Sequence, residues 1–159
     1  MIKSKEIQIL LAFIGCLLVS FLFSFVYRYD NQRMIISGNE KDYPIGNDYS
    51  WCIDSVLKTE KQDVIEGWVA KLGQDIEYAN RTVVLIDPQG QLYHLNTVMV
   101  IRTSVTDYFK DGHNYNYSGI RAACFLTDLE PKETYTIGII VIEKDGSKRL
   151  IKTDKTIIG

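Results

Sequence analysis

The residues IQILLAFIGCLLVSFLFSFVY, Ile7 to Tyr27, run for 21 positions without a charged side chain. Coiled as a helix they are about 31 Å long, the thickness of a bilayer's hydrocarbon core. A cleaved signal peptide is the competing reading, and MIKSK makes a fitting basic head. The apolar run, however, exceeds the about 7–15 residues usual for a signal core and ends in Ser24-Phe25-Val26-Tyr27-Arg28 without an A-x-A-like site. Lipoprotein cleavage before Cys16 fits less well, because Phe13 and Ile14 precede Gly15 and the apolar run continues past the cysteine. The expectation is a short head, 1–6, and one uncleaved transmembrane helix, 7–27, seated in the lipid bilayer. Among its small residues Gly15, Cys16, Ser20 and Ser24, the Ser20-xxx-Ser24 spacing suits packing against another helix.

Lys and Arg near the two ends of the segment balance, Lys3 and Lys5 before it and Arg28 and Arg33 after it, so charge does not set the orientation. A short head, one signal-like segment and a following domain form the usual arrangement of an exported domain on an N-terminal anchor. The remainder is therefore expected outside the cytoplasm, on a single-pass protein of the plasma membrane. Its charge is close to balanced, with a net of -2 over 159 residues, and no basic patch argues for nucleic acid as a partner. Cys52 and Cys124 both lie in strand-like contexts. They read as two buried thiols, with an intersheet disulfide as the alternative.

Arg28 to Asp48 is polar and broken by Gly38, Pro44 and Gly46, so 28–48 reads as a linker of 21 residues, on the order of 25 Å of reach if flexible. The MIIS run inside it offers an edge strand instead. From residue 49 onward, short apolar runs are separated by DPQG, KDG, EPKE and KDGS, the punctuation of a β-rich domain. Seven strands are predicted, at 50–58, 64–72, 81–87, 91–101, 119–127, 134–144 and 148–155, giving an all-β, antiparallel, immunoglobulin-like sandwich over 49–159. Period-two spacing puts Val64, Trp68, Ala70 and Leu72 on one face and Ile120, Ala122, Cys124 and Leu126 on another, with Trp68 expected between the sheets. TIGIIVIE is apolar on both faces and reads as a central strand. The lysines of KRLIKTDKTII mark an exposed edge.

Catalytic constellations are hard to assemble from this chain, and the reading is a protein that is not an enzyme and takes no cofactor or metal. It has two histidines, His94 and His113, and no G-x-S-x-G, H-E-x-x-H or C-x-x-C motif. His94 is expected on a solvated strand face. Asp107, Asp111, Asn114 and Asn116 supply oxygens within one loop, but their spacing departs from the calcium-loop pattern and matches ordinary turn chemistry. Asn80 and Asn116 each open an N-x-[ST] pattern.

The stretch TDYFKDGHNYNYSGI, Thr106 to Ile120, holds most of the interest. With Tyr93 and Tyr78 elsewhere, Tyr108, Phe109, Tyr115 and Tyr117 offer flat faces with polar tips, surfaces on which sugar rings stack while Asn and Asp bond their hydroxyls. Tyr115, Tyr117, Asn114, Asn116 and Asp111 are the candidate ligand-binding residues. In an extended segment both tyrosines would share one side and both asparagines the other. The alternative is structural: Phe109 and one tyrosine plug the sandwich while the tyrosine hydroxyl ties back to backbone.

WCIDS, EGWVAKLG, IRTSVTDYF, NYNYSGI and LEPKETYTIGIIV, in that order, resemble a small immunoglobulin-like β-sandwich domain that recurs in bacterial cell-surface polysaccharide and glycosyltransferase-associated proteins. The family pattern is close to R-x-D-V-x-x-x-F, N-Y-x-x-S-G-F and L-x-x-G-x-Y-x-I, and the resemblance covers about residues 50–145. Ser104 stands where the pattern has Asp, Ile120 where it has Phe, and Glu133 where it has Gly. The resemblance implies that Arg102 holds the loop, with Asp107 as its carboxylate in place of the missing one. The reading is a membrane-anchored, non-catalytic module in cell-surface glycan assembly or recognition, which binds glycan or a glycan-assembly enzyme. The alternative is an accessory subunit of a multi-span complex, a transporter or a secretion system, contacted in the membrane.

Overall fold

The computed structural model describes residues 4–32, 34–76 and 80–159. Tyr78, counted above among the aromatics, lies outside the described residues. Helix α1, Ser4–Gln32, is long and apolar enough over Lys5–Tyr27 to cross a membrane, and its large apolar side chains from Ile7 to Tyr27 are exposed. The chain divides into two compact units, this helix and all that follows it.

The second unit is a sandwich of two antiparallel sheets. The five-stranded sheet has the order β1-β5-β4-β8-β9, with β1 Ile35–Asn39, β5 Gln91–His94, β4 Arg81–Ile86, β8 Thr134–Ile142 and β9 Lys148–Ile158. The four-stranded sheet has the order β2-β3-β7-β6, with β2 Tyr49–Lys58, β3 Gln62–Lys71, β7 Gly119–Phe125 and β6 Asn96–Val100. Between them lies one core that includes Ile65, Val69, Ile120, Ala122 and Cys124 from the smaller sheet and Val83, Leu85, Ile137, Ile139 and Ile151 from the larger. The face assigned to β7 from its spacing is the core face, and β8 is buried on both sides as its composition demands.

One predicted strand, 91–101, is two. The chain leaves the larger sheet at Leu95, whose amide donates to the Val83 carbonyl (2.9 Å), and enters the smaller one as β6. Thr97 holds the crossing: its Oγ1 accepts from Val83 N (2.9 Å) and donates to Leu95 O (3.0 Å). Hydrophobic alternation does not register such a step, because the same residues stay apolar on either side of it.

Trp68 does not face the space between the sheets. In β3 the core positions are Ile65 and Val69, whereas Trp68 and Ala70 join a separate cluster with Ile76, Val105 and Tyr115 on the outer face. That face is apolar because other chain segments cover it. Trp51 packs on the core instead, followed by Ile53 and, after a bulge between Ile53 and Ser55, Val56. The bulge accounts for Gly67, since a Cβ there would stand 2.3 Å from the Cys52 carbonyl oxygen. Cys52 is paired with Trp68 and Cys124 with Asp63, at opposite ends of the same sheet, and both thiols are free.

The stretch read as a linker is mostly part of the sandwich. β1 pairs with β5, so the MIIS run is an edge strand. The next residues then cross the outer face of the larger sheet: Tyr43 packs on Val84, Ile86, Leu92, Ile140 and Leu150, and Ile45 bridges to Leu150 on β9 at the far edge. Glu40 fastens this strap to Lys152 (2.7 Å), and Pro44 O accepts from Leu150 N (2.9 Å).

Candidate ligand-binding face

Between β6 and β7 the chain makes an excursion over the outer end of the smaller sheet. Helix α2, Thr103–Phe109, is followed by Lys110 in the left-handed conformation (φ 50°), the Asp111-Gly112 turn and a 3-10 turn at Asn116–Ser118. A segment with two asparagines, a glycine and an aspartate in succession has no regular strand or helix open to it, and here side chains supply the missing backbone partners. Thr106 Oγ1 accepts from Tyr115 N (2.8 Å) and donates to Asn116 Oδ1 (2.8 Å). Asn114 Oδ1 accepts from Asn116 N (2.9 Å), and Asp75 Oδ1 accepts from Asn114 N (2.7 Å) and faces His113 Nδ1 at 3.2 Å. Arg102 N donates to Asn116 O (2.6 Å), closing the base of the excursion.

Tyr115 is wholly buried. Its ring meets Phe109 edge-on at 5.4 Å, and Phe109 in turn meets Trp68 at 5.7 Å. Its hydroxyl donates to Asp111 Oδ2 (2.5 Å) and accepts from Gly73 N (2.8 Å). The structural alternative weighed from sequence therefore describes Tyr115, and its assignment to a ligand surface is corrected: a half-apolar ring with one polar tip is most stable inside when the tip finds partners there. Tyr117 is half-buried against the same cluster, so the segment is not an extended strand with two outward rings. Asp111 is committed to Tyr115, whose hydrogen bond is the main cause holding its carboxyl below the usual range. Asp75 is held low as well, first by the Asn114 amide and then by His113.

Arg102 is a loop-holding residue with a different carboxylate. Its Nη2 lies 2.7 Å from Asp54 Oδ2 on β2, while Asp107 is exposed on α2. Sequence spacing favoured the nearer aspartate, but a seven-residue helix turns Asp107 outward, whereas Asp54 comes alongside across the sheet. The stem of Arg102 also explains Gly119 in the N-Y-x-x-S-G pattern: a Cβ there would stand 2.6 Å from Arg102 Cγ and 2.3 Å from Val100 O.

What remains open to solvent is polar. Thr106, Asp107, Lys110, His113, Asn114 and Asn116 line a shallow depression of about 480 Å³. The oxygens of both asparagine side chains are occupied within the loop, and both residues line that space. Tyr108, 76% exposed on α2, is the one open ring of the stretch. Beside the excursion, Glu143 gathers Tyr49 Oη (3.0 Å), Lys71 Nζ (3.3 Å) and Arg149 Nε (3.8 Å), and Lys71 also reaches Asp48 (2.8 Å). This ionic group and Asp75 carried no sequence signal, because their partners are up to 94 residues apart.

Neither imidazole is hydrogen-bonded to a hydroxyl or thiol among the described residues, whereas the Cys52 thiol is hydrogen-bonded to the Asp54 carboxylate. His94 is half-buried rather than solvated; burial lowers its pKa, and its Nε2 has no hydrogen-bond partner among the described residues. Among the described residues no group of three or more His, Cys, Asp or Glu side chains is placed to hold a metal ion. No family model, curated protein or solved structure matches this chain.

Proposed function

We propose that the chain is a non-catalytic binding module held at the outer surface of the plasma membrane by α1, and that its ligand is cell-surface glycan. The observation that carries the reading is the excursion after β6: a loop braced by side-chain hydrogen bonds, with Asp107, Lys110, Asn114 and Asn116 lining one shallow depression. Carboxylate, ammonium and amide groups on a rigid support are the means by which hydroxyl-rich ligands are held without deep burial. The resemblance of the motifs at 102–120 to a domain of polysaccharide-associated proteins points the same way, as does an apolar N-terminal helix ahead of a β-sandwich.

The test is retention of the detergent-solubilised chain on purified cell-surface polysaccharide. Asp107→Ala and Tyr108→Ala change exposed side chains, so melting should move by no more than about 0.5 kcal/mol equivalent. Retention should fall at least fivefold for Asp107→Ala. Unchanged retention in both variants, or none by the parent chain, would remove this reading.

A further inference from the structure

Of the four sheet edges, three are closed to pairing. β9 carries Lys148, Arg149, Lys152 and Lys155, and its Leu150 is already bonded on the free side by Pro44 and Gly46. β2 carries Asp54 and Lys58 and is bulged after Ile53. β1 has a register shift between Ile36 and Asn39 and Gly38 at φ 125°. Charge, bulges and irregular backbone are the features that keep an edge from acting as a template.

β6 has none of them. Its register with β7 is unbroken from Asn96↔Ala123 to Val100↔Gly119, and no charged residue occurs from Asn96 to Ile101. Val98 is 54% exposed, Met99 41%, Val100 36% and Ile101 63%, so past Thr97 the apolar side chains of the strand are open to solvent. A regular, uncharged, apolar edge calls for a strand that brings no charge to it and has branched or aliphatic side chains at successive positions.

We propose that the occupant is a second copy of this chain, paired antiparallel through β6 so that two four-stranded sheets join into one of eight strands. The strand is its own complement. Centred on Met99, the pairing sets Met99 against its counterpart, Val98 against Val100 of the second copy and Thr97 against Ile101, with about four to six main-chain hydrogen bonds. The nearest charge, Arg102, falls opposite Asn96 and is already neutralised by Asp54 at 2.7 Å, so the two copies oppose no like charges. This surface is separate from the depression after β6, and the pairing does not depend on what that depression binds.

Residues directly opposite in an antiparallel pair have Cα atoms about 4.5–5.5 Å apart, within disulfide range. The test uses the full chain in detergent micelles on a Cys16→Ser background, which removes the exposed thiol of α1. Met99→Cys is compared with Leu72→Cys, a site of similar exposure at 47%. Under mild copper-phenanthroline oxidation Met99→Cys should give at least ten times the disulfide-linked dimer of Leu72→Cys. Adding Val98→Lys should reduce it at least tenfold while melting is unchanged. In chains without added cysteine, Val98→Lys should lower the sedimenting mass from dimer to monomer. Equal cross-linking at 72 and 99, insensitivity to Val98→Lys, or a monomeric parent chain would each overturn the proposal.

Discussion

Asp63 brings a carboxylate to one end of β3, 1% exposed, with no hydrogen-bond partner for either oxygen among the described residues. Its cross-strand neighbour is Cys124, whose thiol is pushed up to about 11, first by burial and then by the charge of Asp63. Burial likewise raises the Asp63 carboxyl above its ordinary 3.8, an effect that Lys58 only partly offsets. The folded chain thus binds this proton more tightly than the unfolded chain does. The stability linked to it is present in acid and is lost as pH rises from the unfolded value through the raised one. Asp63→Asn removes this buried ionised group, so the variant should melt above the parent at pH 7, with the difference closing below about pH 4. Thermal melts across that range check it, and a variant less stable at pH 7 would show that the carboxylate has a partner in solution.

Helix α2 is an element made by its surroundings. Seven residues are too few for an isolated helix to persist in water, its first turn has no side-chain cap, and only Val105 is buried. What stabilises it is the ring stack of Trp68, Phe109 and Tyr115, together with the Thr106 hydroxyl bonded at both ends. Phe109→Ala removes the middle ring. Because Phe109 is half-buried, the expected loss is about 1–3 kcal/mol, below that of a full core truncation. The loss should be local. Amide exchange should speed up at Gly73 and Tyr115, which depend on the tyrosine staying in place, while β4 and β8 keep their protection. Uniform loss across the sandwich would mean that the excursion is not a separate unit of stability.

At the scale of the whole molecule, the sandwich begins at about Met34 and not after the polar stretch. Cutting the chain at Asp48 removes β1, the Glu40–Lys152 ion pair, the Ile45 bridge and the Tyr43 ring, and uncovers Val84, Ile86, Leu92, Ile140 and Leu150. A chain of 34–159 should therefore unfold in one cooperative transition. One of 48–159 should be several kcal/mol less stable, at roughly 25 cal/mol per Å² of apolar surface returned to water, and should bind a hydrophobic dye. Denaturant titrations of the two compare them directly, and equal midpoints would show that the strap contributes no stability.

What the sequence determined by itself is what depends on neighbours in the chain. Twenty-one uncharged residues announce a helix that water cannot solvate. Alternation and turn residues mark β2, β3, β4, β7, β8 and β9, and apolarity on both parities places β8 inside. Tertiary structure decided what depends on partners far along the chain. Parity distinguishes the two faces of a strand but not which of them meets the other sheet, so Trp68 and Trp51 could be told apart only once α2 lay over one of them. Arg102 found Asp54, 48 positions away, in preference to Asp107, because a short helix and a sheet register settle which carboxylate comes within reach. Tyr115 followed the same rule: an amphipathic ring is surface or core according to whether its hydroxyl meets a partner inside, and Gly73, 42 residues away, supplies one.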